Sequence, residues 1–343
     1  MRIVVDNKIP YIKEALARIT DDVVYLPGRE ITADTIKEAD ALLIRTRTKC
    51  DSKLLQGSNV KFIGTAKIGF DHIDTEYCKQ AGITWRNCPG CNAGAVEQYV
   101  HAVLELLHKT RGYKLQDKCI GIIGVGHVGS RILALANRLG IKILLNDPPR
   151  HDNGEKGFVS LSTIARECDI ITFHTPLIKD GIYKTYHLAD ESFFNSLKKK
   201  PVIINTSRGE VIETGAILNA IRNDKIAEAV IDVWGNEPDI NIELLNKVFI
   251  GTPHIAGYSA NGKFNATQMT FEFLCSFFNI NIDSRINLPE ELVSGTNSSD
   301  SDILSNYNPL IDYKSLLTHP EDFEKIRGNY KLRKVTIQNW RID

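Results

Sequence analysis

Three ionisable residues stand just beyond short apolar runs. Arg208 follows Ile203-Ile-Asn-Thr-Ser, Glu237 follows Ile231-Asp-Val-Trp-Gly-Asn, and His254 follows Gly251-Thr-Pro. These types suit the oxidation of a 2-hydroxy acid, in which a hydride leaves C2 and the hydroxyl proton must leave with it. Histidine titrates near neutrality and is the natural base. A buried carboxylate beside it fixes the tautomer and stabilises the imidazolium that forms. An arginine holds the substrate carboxylate in a fork and polarises the developing carbonyl. Taken singly, each has an ordinary structural explanation: a surface ion pair for Arg208, a turn acid ahead of Pro238 for Glu237, a core imidazole for His254. Together, and behind a dinucleotide motif, they point to catalysis.

That motif is Gly121-Ile-Ile-Gly124-Val-Gly126-His-Val-Gly129, a G-x-G-x-x-G at Gly124, Gly126 and Gly129. An apolar run ends at Ile123 and an amphipathic segment begins near His127, which is the context the pattern requires. The glycines permit a tight turn, approach of backbone to a pyrophosphate, and close helix–strand packing, while the helix start supplies free N–H groups. The pattern calls for an acid about 20 residues on. Asp147 directly follows the next apolar run, where a carboxylate accepts from the ribose hydroxyls of NAD and repels the 2′-phosphate of NADP. Arg150 nearby is the one feature that would suit NADP.

Strand-like runs at 2–6, 23–26, 41–45, 61–65 and 83–87 alternate with short amphipathic segments at 10–18, 33–39 and 73–80. A long helix is predicted over 93–111. A second set of strands follows at 119–123, 142–145, 170–174, 202–206, 228–233 and 248–251, with a helix at 127–139. Apolar strands separated by helices imply parallel sheets covered on both faces. The fold class is therefore α/β: two doubly wound parallel-sheet domains, a flavodoxin-like substrate domain and a Rossmann NAD domain, with a cleft between them. Residues 1–95 and 258–290 are assigned to the substrate domain and 96–257 to the NAD domain. A short C-terminal module or tail spans 291–343, for which a family resemblance implies dimerisation. It opens on a small, polar, linker-like stretch at 294–302 and separates into an acidic part, 300–324, and a basic part, 325–341.

Lysine plus arginine and aspartate plus glutamate each number 42 in 343 residues, giving a formal net charge of zero. This argues against a basic nucleic-acid binder. No run approaches the ~18 apolar residues of a membrane helix. The charged start does not read as a signal peptide, and a cytoplasmic location is expected. Seven scattered cysteines read as reduced thiols. Cys88-Pro-Gly-Cys91 reads as a turn containing two thiols rather than as a redox pair, and no metal-spaced partner pair accompanies it. Locally the charge is uneven: Arg45, Arg47 and Lys49 cluster after one strand and Lys67 after the next. Alternate residues of an extended strand share a face, so Arg45, Arg47 and Lys49 would form one basic patch there, suited to a phosphate ester.

On Gly124–Gly129, Asp147, Thr175-Pro-Leu, Asn205-Thr-Ser-Arg208-Gly, Asp232-Val-Trp-Gly-Asn-Glu237-Pro and Thr252-Pro-His254-Ile-Ala-Gly257, the chain resembles the D-2-hydroxyacid dehydrogenase family over about residues 2–290. The resemblance implies NAD as cofactor and Arg208, Glu237 and His254 as the catalytic set. It implies NAD contacts at Asp147, Thr175, Asp232 and Gly257 and around Thr206 and Ser207, with substrate contacts at Thr46, Lys67 and Tyr258. Lys67 replaces a small hydroxyl residue expected there. Further stretches, among them Arg45-Thr-Arg-Thr-Lys49 and His254-Ile-Ala-Gly-Tyr258, resemble a branch acting on a small phosphorylated 2-hydroxy acid as a homodimer. A dehydrogenase for 3-phosphoglycerate or glycerate, and a non-catalytic NAD-sensing protein, are the alternatives.

Overall fold

The computed structural model describes residues 1–289, 292 and 303–335; the linker read at 294–302 lies outside them. The chain separates into two compact units. One comprises Met1–Asn92 with 258–289 and 292, the other Ala93–Gly257 with 303–335.

The first unit is built on β1 (Ile3–Asp6), β2 (Val23–Leu26), β3 (Ala41–Ile44), β4 (Phe62–Thr65) and β5 (Thr84–Arg86), all parallel in the order β2-β1-β3-β4-β5. The middle strands β1, β3 and β4 are buried at every residue, so they read as unbroken apolar runs, as strands covered on both faces do. The helix expected at 10–18 is shorter, Ile12–Leu16. Pro10 brings no N–H to a helix, and Tyr11 at the N-cap takes φ +58°, so the first turn begins only after them. β3 ends at Ile44 and the chain turns at once over 46–48. Alternation on an extended strand therefore does not carry Arg45, Arg47 and Lys49 onto one face.

The second unit contains β6 (Cys119–Ile123), β7 (Lys142–Asn146), β8 (Ile170–Phe173), β9 (Val202–Asn205), β10 (Glu228–Ile231) and β11 (Ile250–Gly251), parallel in the order β11-β10-β9-β8-β6-β7. A parallel bridge from Leu145 to Phe158 marks a further strand position beyond β7. Counting it, the connectivity is that of the dinucleotide fold, which reverses direction between β6 and β8. The helix Ala93–Arg111 keeps the bounds its periodicity predicts and buries fourteen of its nineteen residues. Its Glu97, almost wholly buried, accepts from Arg131 and Arg138 of the helix His127–Arg138.

The C-terminal segment departs from the expectation of a separate module. Its described part, 303–335, packs into the second unit. Leu316 and Phe323 join the core that contains Trp234, Leu245 and Val248, and the Tyr313 hydroxyl donates to the carbonyls of Leu245 and Val248. Leu316 and Phe323 are almost wholly buried, and burying each contributes ~1.5–3 kcal/mol; Ile303, Tyr307 and Val335 of the same segment are buried as well. Some of its charges pair locally, Lys325 with Asp322 at 3.0 Å and Arg327 with Glu324 at 3.2 Å, and Arg327 also lies 3.8 Å from Glu237.

Candidate active site

The carboxyl ends of the second unit's strands carry the expected residues in two groups. β6, β7 and β8 lead to the glycine turn, Asp147 and Thr175, and the adjacent strands β9, β10 and β11 lead to the three candidate catalytic residues, with Thr206, Ser207, Asp232 and Gly257 beside them. Neighbouring strands deliver neighbouring loops, so residues far apart in sequence meet.

At the end of β6, Gly124 turns the chain with φ +84°, and an added Cβ there would press on the His174 carbonyl and the Thr175 methyl. A Cβ on Gly129 would collide with the Gly124 carbonyl, so the helix can approach the turn only with glycine. Gly126 is the N-cap of His127–Arg138, and a Cβ there meets nothing within 4 Å. The open space lies where free N–H groups of the helix start favour an anion. Asp147 caps its own short helix, accepting from Arg150 N at 3.2 Å, and accepts from Val125 N at 2.8 Å. Arg150 is held by Glu155 and by the Val125 carbonyl, with its guanidinium over the Phe158 ring. Thr175 Oγ1 is buried with no hydrogen-bond partner, an orphaned hydroxyl beside the glycine turn. A glycine turn with open space at a helix start, a carboxylate at the end of the next strand and a spare hydroxyl together fit NAD.

Thr206 is held through His174, whose Nδ1 lies 3.3 Å from Thr206 Oγ1 and whose Nε2 lies 2.9 Å from Thr172 Oγ1. Burial lowers the His174 pKa to about 3, so this imidazole is a neutral strut. Ser207 donates from N and Oγ to Asn205 Oδ1, and Asn205 Nδ2 returns a bond to the Arg208 carbonyl. This clasp sets the backbone from which the half-buried Arg208 projects. Its Nη1 donates to the Ser207 carbonyl at 2.8 Å, and among the described residues no hydrogen bond joins it to Glu237 or His254.

Glu237 and His254 meet directly. His254 Nδ1 lies 2.8 Å from Glu237 Oε2 and 3.1 Å from Oε1. With Nδ1 donating to the carboxylate, Nε2 is left as the acceptor. Trp234 N donates to Glu237 Oε1 and the Trp234 indole to the Thr252 carbonyl, which ties the β10 and β11 loops together. Burial opposes the Glu237 charge, but the imidazole, the Trp234 N–H and Arg327, 3.8 Å away, outweigh it and hold the carboxyl below the usual carboxylate range. Asn236 and His254 take φ +64° and +55°. Such conformations cost ~1–3 kcal/mol and persist only where the surroundings impose them. Here His254 N donates to the Asp232 carbonyl at 2.7 Å.

Asp232 is 1% exposed, and its oxygens accept from Thr252 Oγ1 at 2.6 Å, Ile255 N at 2.8 Å and Ala256 N at 3.0 Å. The family resemblance implies an NAD contact at Asp232; in the structure its carboxylate anchors the His254 loop. Half-buried Gly257 closes that loop. From the other side, the buried Arg333 guanidinium donates to the carbonyls of Ile255, Ala256 and Ala95. Arg333 and Arg327 were invisible to sequence reasoning, since no local pattern links a C-terminal basic stretch to a histidine about 75 residues earlier.

In the first unit, half-buried Arg45 donates to the Lys8 carbonyl at 3.3 Å. Thr46 and Arg47 are exposed in the turn, and Lys49 is turned to Asp51 at 3.1 Å with its side chain 80% exposed. Half-buried Lys67 lies by His72, whose pKa is lowered by burial and by the Lys67 charge. Half-buried Tyr258 directly precedes Ser259, the N-cap of Ala260–Phe277. Cys88 and Cys91 are buried; burial raises the Cys88 pKa to about 11 and pushes Cys91 up as well, which makes them poor nucleophiles. Among the described residues, no helix is long and apolar enough to cross a membrane.

Residues 93–256 match the family described as D-isomer specific 2-hydroxyacid dehydrogenase, NAD binding domain. A curated relative from Bacteroides fragilis, named erythronate-4-phosphate dehydrogenase, is 57% identical over 338 residues, 97% of each chain. One of the same name from Shigella flexneri serotype 5b is 41% identical over 348 residues, 97% of this chain and 92% of the relative. The NAD+-bound 3-phosphoglycerate dehydrogenase of Entamoeba histolytica superposes with TM-score 0.68 at 27% identity, covering 84% of this chain and 99% of that one.

Proposed function

Since the chain belongs to the D-isomer specific 2-hydroxyacid dehydrogenase family and is an NAD-dependent dehydrogenase, we propose that it oxidises 4-phospho-D-erythronate to 2-oxo-3-hydroxy-4-phosphobutanoate, a step of pyridoxal 5′-phosphate biosynthesis. The observation that carries the chemistry is the bifurcated contact of His254 Nδ1 with the Glu237 carboxylate. The relatives named for this substrate support its identity.

NAD, when bound, accepts the hydride from C2. The chain supplies the rest. Gly124, Gly126 and Gly129 shape the pyrophosphate turn, Asp147 takes the ribose hydroxyls, and Thr175, Thr206, Ser207, Asp232 and Gly257 border the cofactor. Arg150, already engaged by Glu155, is not left to favour a 2′-phosphate. Arg208 takes the substrate carboxylate, and Thr46, Lys67 and Tyr258 contact the substrate. His254 Nε2 removes the C2 hydroxyl proton as the carbonyl forms, and Glu237 stabilises the resulting imidazolium without itself taking the proton. Arg45 and Arg47 bind phosphate. The active form is a cytoplasmic homodimer, which light scattering on the purified chain tests.

Mixing the chain with NAD and 4-phospho-D-erythronate should produce NADH absorbance. No turnover with this ester, while glycerate or 3-phosphoglycerate react well, would overturn the substrate assignment. An NAD-sensing role is disfavoured because the Glu237–His254 pair is assembled with base-ready geometry, which cofactor binding alone does not need.

A further inference from the structure

The first unit reverses its strand order between β1 and β3, and ligands of doubly wound sheets bind beyond the carboxyl ends of the strands at such a point. Two loops leave there, 7–11 after β1 and 45–49 after β3. Arg45 reaches from the second loop to the Lys8 carbonyl of the first. The helix Ala260–Phe277 is docked on the same first loop. Thr267 Oγ1 donates to the Pro10 carbonyl at 2.9 Å, and the Tyr11 and Phe264 rings meet edge-on at 5.8 Å. Lys263 lies one turn before Thr267, whose hydroxyl also donates to the Lys263 carbonyl, so Arg45 and Lys263 flank one loop.

Lys263 is half-buried in the first turn of an eighteen-residue helix. A cation there opposes the helix dipole, and a second cation beside it adds repulsion. Burial and the Arg45 charge both push the Lys263 ammonium down. Among the described residues neither cation has a carboxylate partner. Asp6, the nearest acid along β1, turns one oxygen to Lys8 N at 2.9 Å. Lys49, in contrast, is neutralised by Asp51. Two unneutralised cations and a helix start at a switch point form an arrangement that an anion relieves.

We propose that Arg45 and Lys263 form one anion site that takes the phosphate monoester of the substrate, with Lys263 as a specificity-determining residue. This rests on reading the chain as a dehydrogenase of a phosphorylated 2-hydroxy acid and adds a residue to it. Lys263 supplies charge-assisted hydrogen bonds to the phosphate oxygens, and Arg45 closes on the same group from the β3 side.

The test compares kcat/KM for 4-phospho-D-erythronate and for D-erythronate in the wild type, Lys263→Met and Lys263→Arg, with inorganic phosphate as a competing probe. Loss of a charged hydrogen-bond partner should lower the ratio of the two kcat/KM values by about ten- to a hundredfold in the methionine variant. Inhibition by inorganic phosphate should weaken in parallel, and the arginine variant should recover most of the ratio. Lys263→Gln repeats the measurement if the methionine variant does not fold. A ratio that stays at its wild-type value, or equal weakening toward both acids, overturns the site. A wild-type enzyme that favours the unphosphorylated acid overturns the underlying reading instead, so the two failures are distinguishable.

Discussion

Replacing Arg333 by methionine tests whether the C-terminal segment holds His254, the proposed base, in place. Arg333 is 8% exposed. Its guanidinium donates to the carbonyls of Ile255 at 2.9 Å, Ala95 at 3.0 Å and Ala256, and to Gln98 Oε1 at 3.2 Å. It also lies over the Tyr307 ring, 4.1 Å from the centroid. Asp232 takes the N–H groups of the same two loop residues, so the peptides just after His254 are gripped from both sides. Methionine keeps the apolar stem and takes the guanidinium's hydrogen bonds away from four acceptors, the three carbonyls and Gln98 Oε1. Each such loss costs ~1–3 kcal/mol; with partial relaxation and water entry the expected loss is ~3–5 kcal/mol, read from denaturant unfolding. Freed of its clamp, the loop lets His254 drift, and a displacement of ~1 Å lowers turnover by ~10²-fold. The expected pattern in the still-folded fraction is a reduced kcat with little change in the KM for NAD, since the glycine turn lies on other strands. Arg333→Lys keeps the charge but not the fork and should fall between the two. A methionine variant with the wild-type unfolding midpoint and full kcat refutes the clamp.

Glu237→Gln should lower kcat about a hundredfold, because the charge facing the imidazolium is lost. The Glu237 carboxyl is held below its ordinary value of 4.5, so its stabilisation is complete above that pH and vanishes as the pH falls through the lowered folded value. The melting-temperature gap between wild type and variant should therefore be present at neutral pH and close as the pH falls through the lowered folded value; a gap that stays constant on acidification refutes the linkage. Asp147→Ser keeps a helix cap but removes the charge, and should raise kcat/KM with NADP relative to NAD by about tenfold or more; an unchanged ratio would place cofactor choice elsewhere. Gly129→Ala drives a methyl into the Gly124 carbonyl and should abolish NAD binding by calorimetry, and wild-type affinity would contradict the packing described.

The elements legible in the sequence were those that local forces determine. The β strands read correctly because apolar runs covered on both faces carry their own signal, and the glycine turn read correctly because its geometry excludes side chains. The pairing of Glu237 with His254 was legible because both follow adjacent strands and converge at the sheet's carboxyl edge. The shared face at 45–49 was read for a chain that stays extended, and the structure departs from that condition for an equally local reason: β3 ends at Ile44, and the turn at 46–48 points Arg45 at Lys8 and leaves Lys49 to Asp51.

What could not be read are the long-range partners. Lys263 stands more than 200 residues from Arg45, and Arg333 stands 78 residues from Ile255 and 238 from Ala95. In sequence, the acidic and basic parts of the tail read only as features of a C-terminal module or tail. The structure gives its basic residues a different use: Arg327 helps hold Glu237 ionised, and Arg333 holds the loop behind His254. A charge that looks like surface decoration in sequence becomes part of the catalytic support once two apolar anchors, Leu316 and Phe323, dock its segment. Emptying those anchors should then perturb turnover as well as stability, because the same docking presents both arginines to the active site.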